Sequence, residues 1–157
     1  MNDFDFFAGN WDVANRWLVD FLDADSGWEE FPAVSRATRH FDGAASFDEI
    51  EFPTKGFAGL TLRLYDHERE QWALNWGSRR TGTLFPPVMG RFDATTGTGV
   101  FEGEDTYEGK AVRVRFVWSR TDTDSPRWEQ FFSADGGEVW VHNWTMDFTR
   151  RAADGAS

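Results

Sequence analysis

Hydrophobic and polar residues alternate with a period of two along most of the chain, in short runs broken by turn residues; this pattern predicts strands rather than helices. Leu60-Thr61-Leu62-Arg63-Leu64 is the clearest run, and Trp72 to Trp76, Val112 to Trp118 and Trp140 to Phe148 repeat it. Further strands are predicted from Trp11 to Leu22, Val34 to Phe41, Phe47 to Phe52, Phe85 to Phe92, Val100 to Thr106 and Trp128 to Ser133. About nine or ten short strands with tight turns predict an all-β fold, a closed antiparallel barrel, because closure removes exposed sheet edges; a sandwich is the alternative. No linker or change of composition divides residues 1–150, read as one domain, and 151–157 are read as a disordered tail.

Two hairpins indicate which faces point inward. A two-residue turn at Glu108-Gly109 pairs Tyr107 with Lys110, and so sets Glu104 opposite Arg113 and Glu102 opposite Arg115. The charged ladder belongs outside, because unpaired interior charge is costly; Phe101, Gly103, Val112, Val114, Phe116 and Trp118 then face in. The second hairpin, Ser133-Ala134-Asp135-Gly136-Gly137-Glu138-Val139-Trp140, resembles the Asp-box pattern, in which Asp organises the turn. A turn with a Gly bulge places Phe132 opposite Trp140, Gln130 opposite His142 and Trp128 opposite Trp144. That register is preferred to a plain Asp-Gly turn because it gathers Trp128, Gln130, Phe132, Trp140, His142, Trp144, Met146 and Phe148 on one inner face. Trp11, Val13, Asn15, Trp17, Val19 and Phe21 form another inner row, continued by Leu60, Leu62, Leu64, Trp72, Leu74 and Trp76.

Composition adds an excess of rings: 9 Trp and 16 Phe raise aromatic residues to 17% of the 157 residues. Bulky rings pack less completely than branched aliphatics, so a residual cavity is favoured over a solid core. The formal net charge of −11, without a basic run, makes nucleic acid and anionic membranes poor partners. The absence of Cys excludes disulfides and thiolate chemistry. The acidic start, Met1-Asn2-Asp3-Phe4-Asp5, is unlike a secretion signal, and no apolar run is long enough to span a membrane; a cytoplasmic protein is expected.

Several phrases together carry a family resemblance. Phe4-Asp5-Phe6-Phe7-Ala8-Gly9-Asn10-Trp11-Asp12-Val13, the Leu-Arg-Leu-Tyr-Asp segment ending at Asp66, Ser133-Ala134-Asp135-Gly136-Gly137 and the final Asn143-Trp144-Thr145-Met146-Asp147-Phe148-Thr149-Arg150 resemble a bacterial family of uncharacterised lipocalin-like domains. The resemblance spans nearly the whole chain and implies a calycin-type barrel whose N-terminal Gly-x-Trp segment closes one end. It implies no single activity.

Phosphate-loop, dinucleotide and hydrolase-elbow motifs are absent from the sequence. No metal is expected, since His67 lies in a polar turn and would not converge with His40 and His142. His142 and Gln130 are the catalytic candidates: a His among rings is held neutral and can accept a proton, and Gln130, with Asn15, can orient the ligand; a structural imidazole hydrogen-bonded to Gln130, or an outward His142, is the alternative. Candidate ligand contacts are Asn15, Trp17, Trp72, Trp76, Phe116, Trp118, Trp128, Trp140, Trp144 and Met146. The leading function is binding of a largely apolar, ring-containing small molecule. The alternatives are a cofactor-independent cyclase, isomerase or hydrolase of specialised metabolism using the same cavity, and a structural module with a solid core. No cofactor is expected. Haem, with His142 as axial ligand, is disfavoured because the chain lacks the Gly-x-Trp-x-Gly-x-Gly-x-Gly element of the haem-binding nitrobindins. Arg79 and Arg80 are read as a solvated turn at the barrel mouth, with a gate for acidic ligands as the alternative. The oligomeric state is not readable from the residues.

Overall fold

The alternating runs form eleven strands in a computed structural model that describes residues 2–151. In chain order they are β1 (Gly9–Leu18), β2 (Trp28–His40), β3 (Ala45–Phe52), β4 (Phe57–Asp66), β5 (Gln71–Ser78), β6 (Thr83–Leu84), β7 (Val88–Phe92), β8 (Gly99–Tyr107), β9 (Lys110–Ser119), β10 (Arg127–Ser133) and β11 (Val141–Arg150). They pair antiparallel in the order β4-β3-β2-β1-β11-β10-β9-β8-β7-β5, and β5 returns to β4, so ten strands close a lipocalin-like barrel while β6 lies beside β5. No helix among the described residues is long and apolar enough to cross a membrane. Of the expected tail, Arg151 is tied back through its backbone N–H to Asn10 O at 2.9 Å, and 152–157 lie outside the described residues.

The β8–β9 hairpin has the register that its two-residue turn dictates: Glu108 and Gly109 both take positive φ, and Glu104 and Glu102 face Arg113 and Arg115. On the outer wall Glu102 holds both guanidiniums, at 2.7 Å from Arg115 Nε and 3.3 Å from Arg113 Nη2. Phe101, Val112, Val114 and Trp118 are buried on the other face.

Three expected faces are corrected. Leu60 and Leu64 are exposed on the outer wall, and Arg63 is buried in the barrel. The turn at residues 67–70 sets Asp66 opposite Gln71, so odd-numbered residues of β4 share a face with even-numbered residues of β5. Thr61, Arg63 and Tyr65 therefore stand beside Trp76, Leu74 and Trp72, and the leucine row is turned outward. In β1 the alternation ends at Leu18, which is buried, and Val19 is exposed where the chain enters a loop.

The third correction concerns β10 and β11. Trp128 pairs with Met146 and Gln130 with Trp144, but Phe131 pairs with His142, leaving Asn143 as the extra residue of a bulge. The bulge lies inside the strand rather than in the turn, and it reverses the parity of everything before it. His142 consequently faces outward. Trp140 precedes β11 and also lies on the outer wall, its ring 4.0 Å beneath the Arg115 guanidinium. The turn itself is organised by Asp135, whose Oδ1 accepts from Ser133 Oγ and from the N–H groups of Glu138 and Val139. The bond from Val139 is the first cause holding its carboxyl below the usual range.

Aromatic residues close one end of the barrel. The 3-10 turn Asp5–Phe7 carries Phe7 inward, where its ring lies 5.1 Å from Trp118 and 5.2 Å from Phe148. Phe4 packs edge-on against Trp72 at 4.9 Å, and the Trp72 indole donates to Asp3 Oδ2. Trp11 Nε1 donates to Phe7 O, while Arg150 lies 4.2 Å over the Trp11 ring and donates to the carbonyls of Ala8 and Phe6, both at 2.8 Å. Gly9, at φ 132°, admits this guanidinium because a side chain there would collide with it. Arg150→Ala removes two charge-assisted bonds and a cation–π contact, so it is expected to lower unfolding stability by about 1–2 kcal/mol. Urea denaturation reads this as a lower midpoint at unchanged slope, and an unmoved midpoint would show that the plug holds without it.

Candidate functional site

Above the plug the barrel encloses two chambers. The inner one has a volume of about 70 Å³ and the outer one, toward the open end, about 220 Å³. Leu74, Trp76, Phe116, Gln130 and Trp144 border both. The far edge of the Trp76 ring lies against Gly59 on the neighbouring strand, where any side chain would collide with it. Trp128 packs edge-on against Phe116 at 4.9 Å and against Trp144 at 5.2 Å, which fixes the wall on the β9–β11 side.

The inner chamber rests on an ion pair. Arg63 Nη2 lies 2.7 Å from Asp48 Oδ1, and both side chains are about 5% exposed. Ser35 Oγ donates to Asp48 Oδ2 and Arg63 Nη1 donates to Ser46 Oγ, each at 3.3 Å. The guanidinium is flanked by the rings of Phe4 at 5.1 Å, Phe7 at 5.0 Å and Trp118 at 5.9 Å. Thus the plug that closes the barrel also forms the aromatic bed of its buried cation.

At the open end the β1–β2 loop folds inward. Phe21 stacks on Tyr107 at 5.6 Å and packs edge-on against Phe132 at the same distance. Its N–H donates to Tyr107 Oη, which donates in turn to Asp20 Oδ1, and its carbonyl accepts from Asn143 Nδ2 at 3.2 Å. Asn143 Oδ1 also accepts from Gln130 Nε2 at 3.0 Å. The bulge residue therefore couples the Phe21 lid to a chamber wall. Beside the lid, Lys55 lies 5.2 Å over Trp17, and Arg80 lies 4.9 Å over Phe57 while donating to Lys55 O.

The candidate residues are distributed unevenly. Gln130, Trp76, Phe116, Trp118, Trp128, Trp144 and Met146 border the inner chamber. Trp72 belongs to the plug, and Trp17 stands at the mouth with its indole N–H on Glu29. Asn15 is buried but accepts from Trp144 Nε1 at 3.0 Å and borders neither chamber. Trp140 and His142 are outside. The His142 ring stacks on Phe131 at 4.8 Å, with Nε2 at 2.8 Å from the Thr145 hydroxyl and 3.2 Å from Glu129 Oε2. Residues not anticipated are Arg63, Asp48, Asn143 and Phe7. The parity of the turn at 67–70 was the available signal for Arg63; Asn143 had none in its own strand.

No family profile matches the chain, and no curated protein matches it. Among solved structures, the fold is similar to that of the S-type phycobiliprotein lyase CPES from Guillardia theta. The match covers 96% of this chain and 92% of that chain, with a TM-score of 0.55 at 12% identity, a likeness of fold alone.

Two outcomes follow from this geometry. Arg63→Met strands a buried carboxylate and is expected to cost about 3–5 kcal/mol in urea denaturation, whereas Arg63→Met with Asp48→Leu recovers most of it. A single variant as stable as the double would mean that Asp48 does not depend on Arg63. Burial is the main cause lowering the His142 pKa from its ordinary 6.5, so the folded state binds fewer protons than the unfolded state. His142 therefore makes stability rise with pH: its contribution is complete above the ordinary value and is lost as pH falls toward the folded one. His142→Gln is expected to flatten that part of the stability–pH curve, and an unchanged slope would remove His142 from the linkage.

Proposed function

We propose that the barrel binds a largely apolar, ring-containing small molecule. The observation that carries this reading is the pair of chambers with a common wall of Leu74, Trp76, Phe116, Gln130 and Trp144. A cavity of about 150 Å³ is enough for one benzene ring. The outer chamber, at about 220 Å³, is large enough for rings, whereas the inner one, at about 70 Å³, takes only the end of a ligand. Trp76, Phe116 and Trp144 supply flat apolar surface, and Gln130 supplies a neutral polar contact. The shared fold with a phycobiliprotein lyase supports barrel binding of a small molecule in general and does not say which one.

The catalytic alternative built on His142 loses its base, because no histidine borders either chamber and His142 is on the outer wall. For the same reason an imidazole-ligated haem would find no axial ligand among the described residues of the cavity, and the reading includes no cofactor. The formal charge of −11 favours a small-molecule partner over nucleic acid or an anionic membrane.

Native mass spectrometry of the purified protein, followed by solvent extraction, tests for a tightly held molecule directly. With acetylnaphthalene as probe, quenching of tryptophan fluorescence gives an affinity. Trp76→Ala is expected to weaken it by about tenfold through lost apolar contact, and Trp140→Ala on the outer wall by less than about twofold. Equal effects at both positions would place binding outside the barrel, and absence of any binding would overturn the reading.

A further inference from the structure

The inner chamber is too small for a ring, so its chemistry concerns the leading end of a ligand. Two N–H donors on its wall have no partner: Arg63 Nε and Trp118 Nε1. Arg63 is 4% exposed and Trp118 2%, so neither donor is satisfied by bulk solvent. A buried donor without an acceptor has given up its hydration with nothing in exchange, which makes two of them on one small chamber a feature in need of an acceptor. The two residues are neighbours on that wall, the guanidinium carbon lying 5.9 Å from the centre of the Trp118 ring.

Charge decides which acceptor fits. Arg63 is already neutralised by Asp48 at 2.7 Å, and the alignment of that pair leaves Asp48 Oδ1 without a hydrogen bond. A ligand carboxylate entering the chamber would bring an uncompensated negative charge beside Asp48, far from water. A neutral carbonyl oxygen brings two lone pairs and no charge. The chamber's roughly 70 Å³ corresponds to about two waters, the volume that a carbonyl end would displace.

We infer that the inner chamber is a subsite for a neutral carbonyl oxygen, held by Arg63 Nε–H and Trp118 Nε1–H, and that the ligand class is a ring-bearing ketone, aldehyde, ester or amide which enters carbonyl first. This rests on the reading of the barrel as a small-molecule binder. It also assigns Arg63 and Asp48 separate roles: Arg63 donates, while Asp48 neutralises it and rejects anions. The rings of the ligand then lie between Trp76, Phe116 and Trp144, beneath Phe21.

Three naphthalene probes of matched ring size test the subsite by fluorescence titration: acetylnaphthalene, ethylnaphthalene and naphthoate. The acetyl compound is expected to bind at least about tenfold more tightly than the ethyl compound, the difference made by hydrogen bonds to a charged donor and an indole. It is also expected to bind more tightly than naphthoate at neutral pH. Trp118→Phe keeps the ring and removes one donor, and should reduce the acetyl-to-ethyl preference. Arg63→Met with Asp48→Leu, which keeps the site filled and uncharged, should reduce it further while ethylnaphthalene still binds. If ethylnaphthalene binds as tightly as acetylnaphthalene, the carbonyl subsite is overturned and the cavity reading stands. If naphthoate binds most tightly, the neutral class is wrong. If none of the three binds, both the subsite and the proposed function fail.

Discussion

A closed antiparallel sheet has a single interior, and each strand must commit alternate residues to it. The return of β5 to β4 is the pairing that imposes this here, since without it the sheet would keep two edges and both faces could reach solvent. Closure turns the length of every turn into a decision about which side chains are inside. The turn at residues 67–70 is the clearest case: it brings a guanidinium into the barrel and leaves a row of leucines outside. Hydropathy alone favours the opposite arrangement, but reversing β4 would break its register with both β3 and β5.

A cation brought inside by register has to be met by the neighbouring strands, and β3 meets it. Ser46 and Asp48 occupy the inner positions of β3 and both contact Arg63. The plug completes the arrangement from below, because Phe4 and Phe7 flank the guanidinium with their rings. Such a pair is weak evidence for stability, since well-packed apolar residues of similar volume often serve as well. At the base of the chamber it leaves the guanidinium Nε–H free, the donor on which the proposed carbonyl subsite rests.

What could be read from the residues was set by how local each register is. The β8–β9 hairpin was legible to the residue because a two-residue Glu-Gly turn admits one pairing and the charges on both strands agree with it. The ten-strand closure and its aromatic plug were legible in outline from alternation and from the Gly9-Asn10-Trp11 phrase. The outward turn of His142 was not, because the bulge residue Asn143 is held by Gln130 across the hairpin and by Phe21, which is remote in sequence and brought close only by the folded barrel. Arg63 was misread for a different reason: the leucines around it gave a strong local signal, and the deciding information lay in the parity of the following turn.

The same constraint divides the aromatic excess into parts with different physical roles. Phe4, Phe7, Trp11 and Trp72 close one end; there the indole N–H groups are satisfied by a backbone carbonyl and a carboxylate. Trp28 and Trp140 lie outside under arginine guanidiniums, where a ring gains a cation–π contact and stays partly solvated. Between these groups stand Trp76, Phe116, Trp128 and Trp144; Trp128 meets Phe116 and Trp144 edge-on, and all four border the inner chamber. Rigid rings braced against each other cannot collapse into that space as flexible aliphatic chains could, so the cavity follows from how these residues pack. Trp118 belongs both to the plug and to this wall. Its ring is fixed by Phe7 and Phe148, and its indole N–H is left without a partner beside the buried cation.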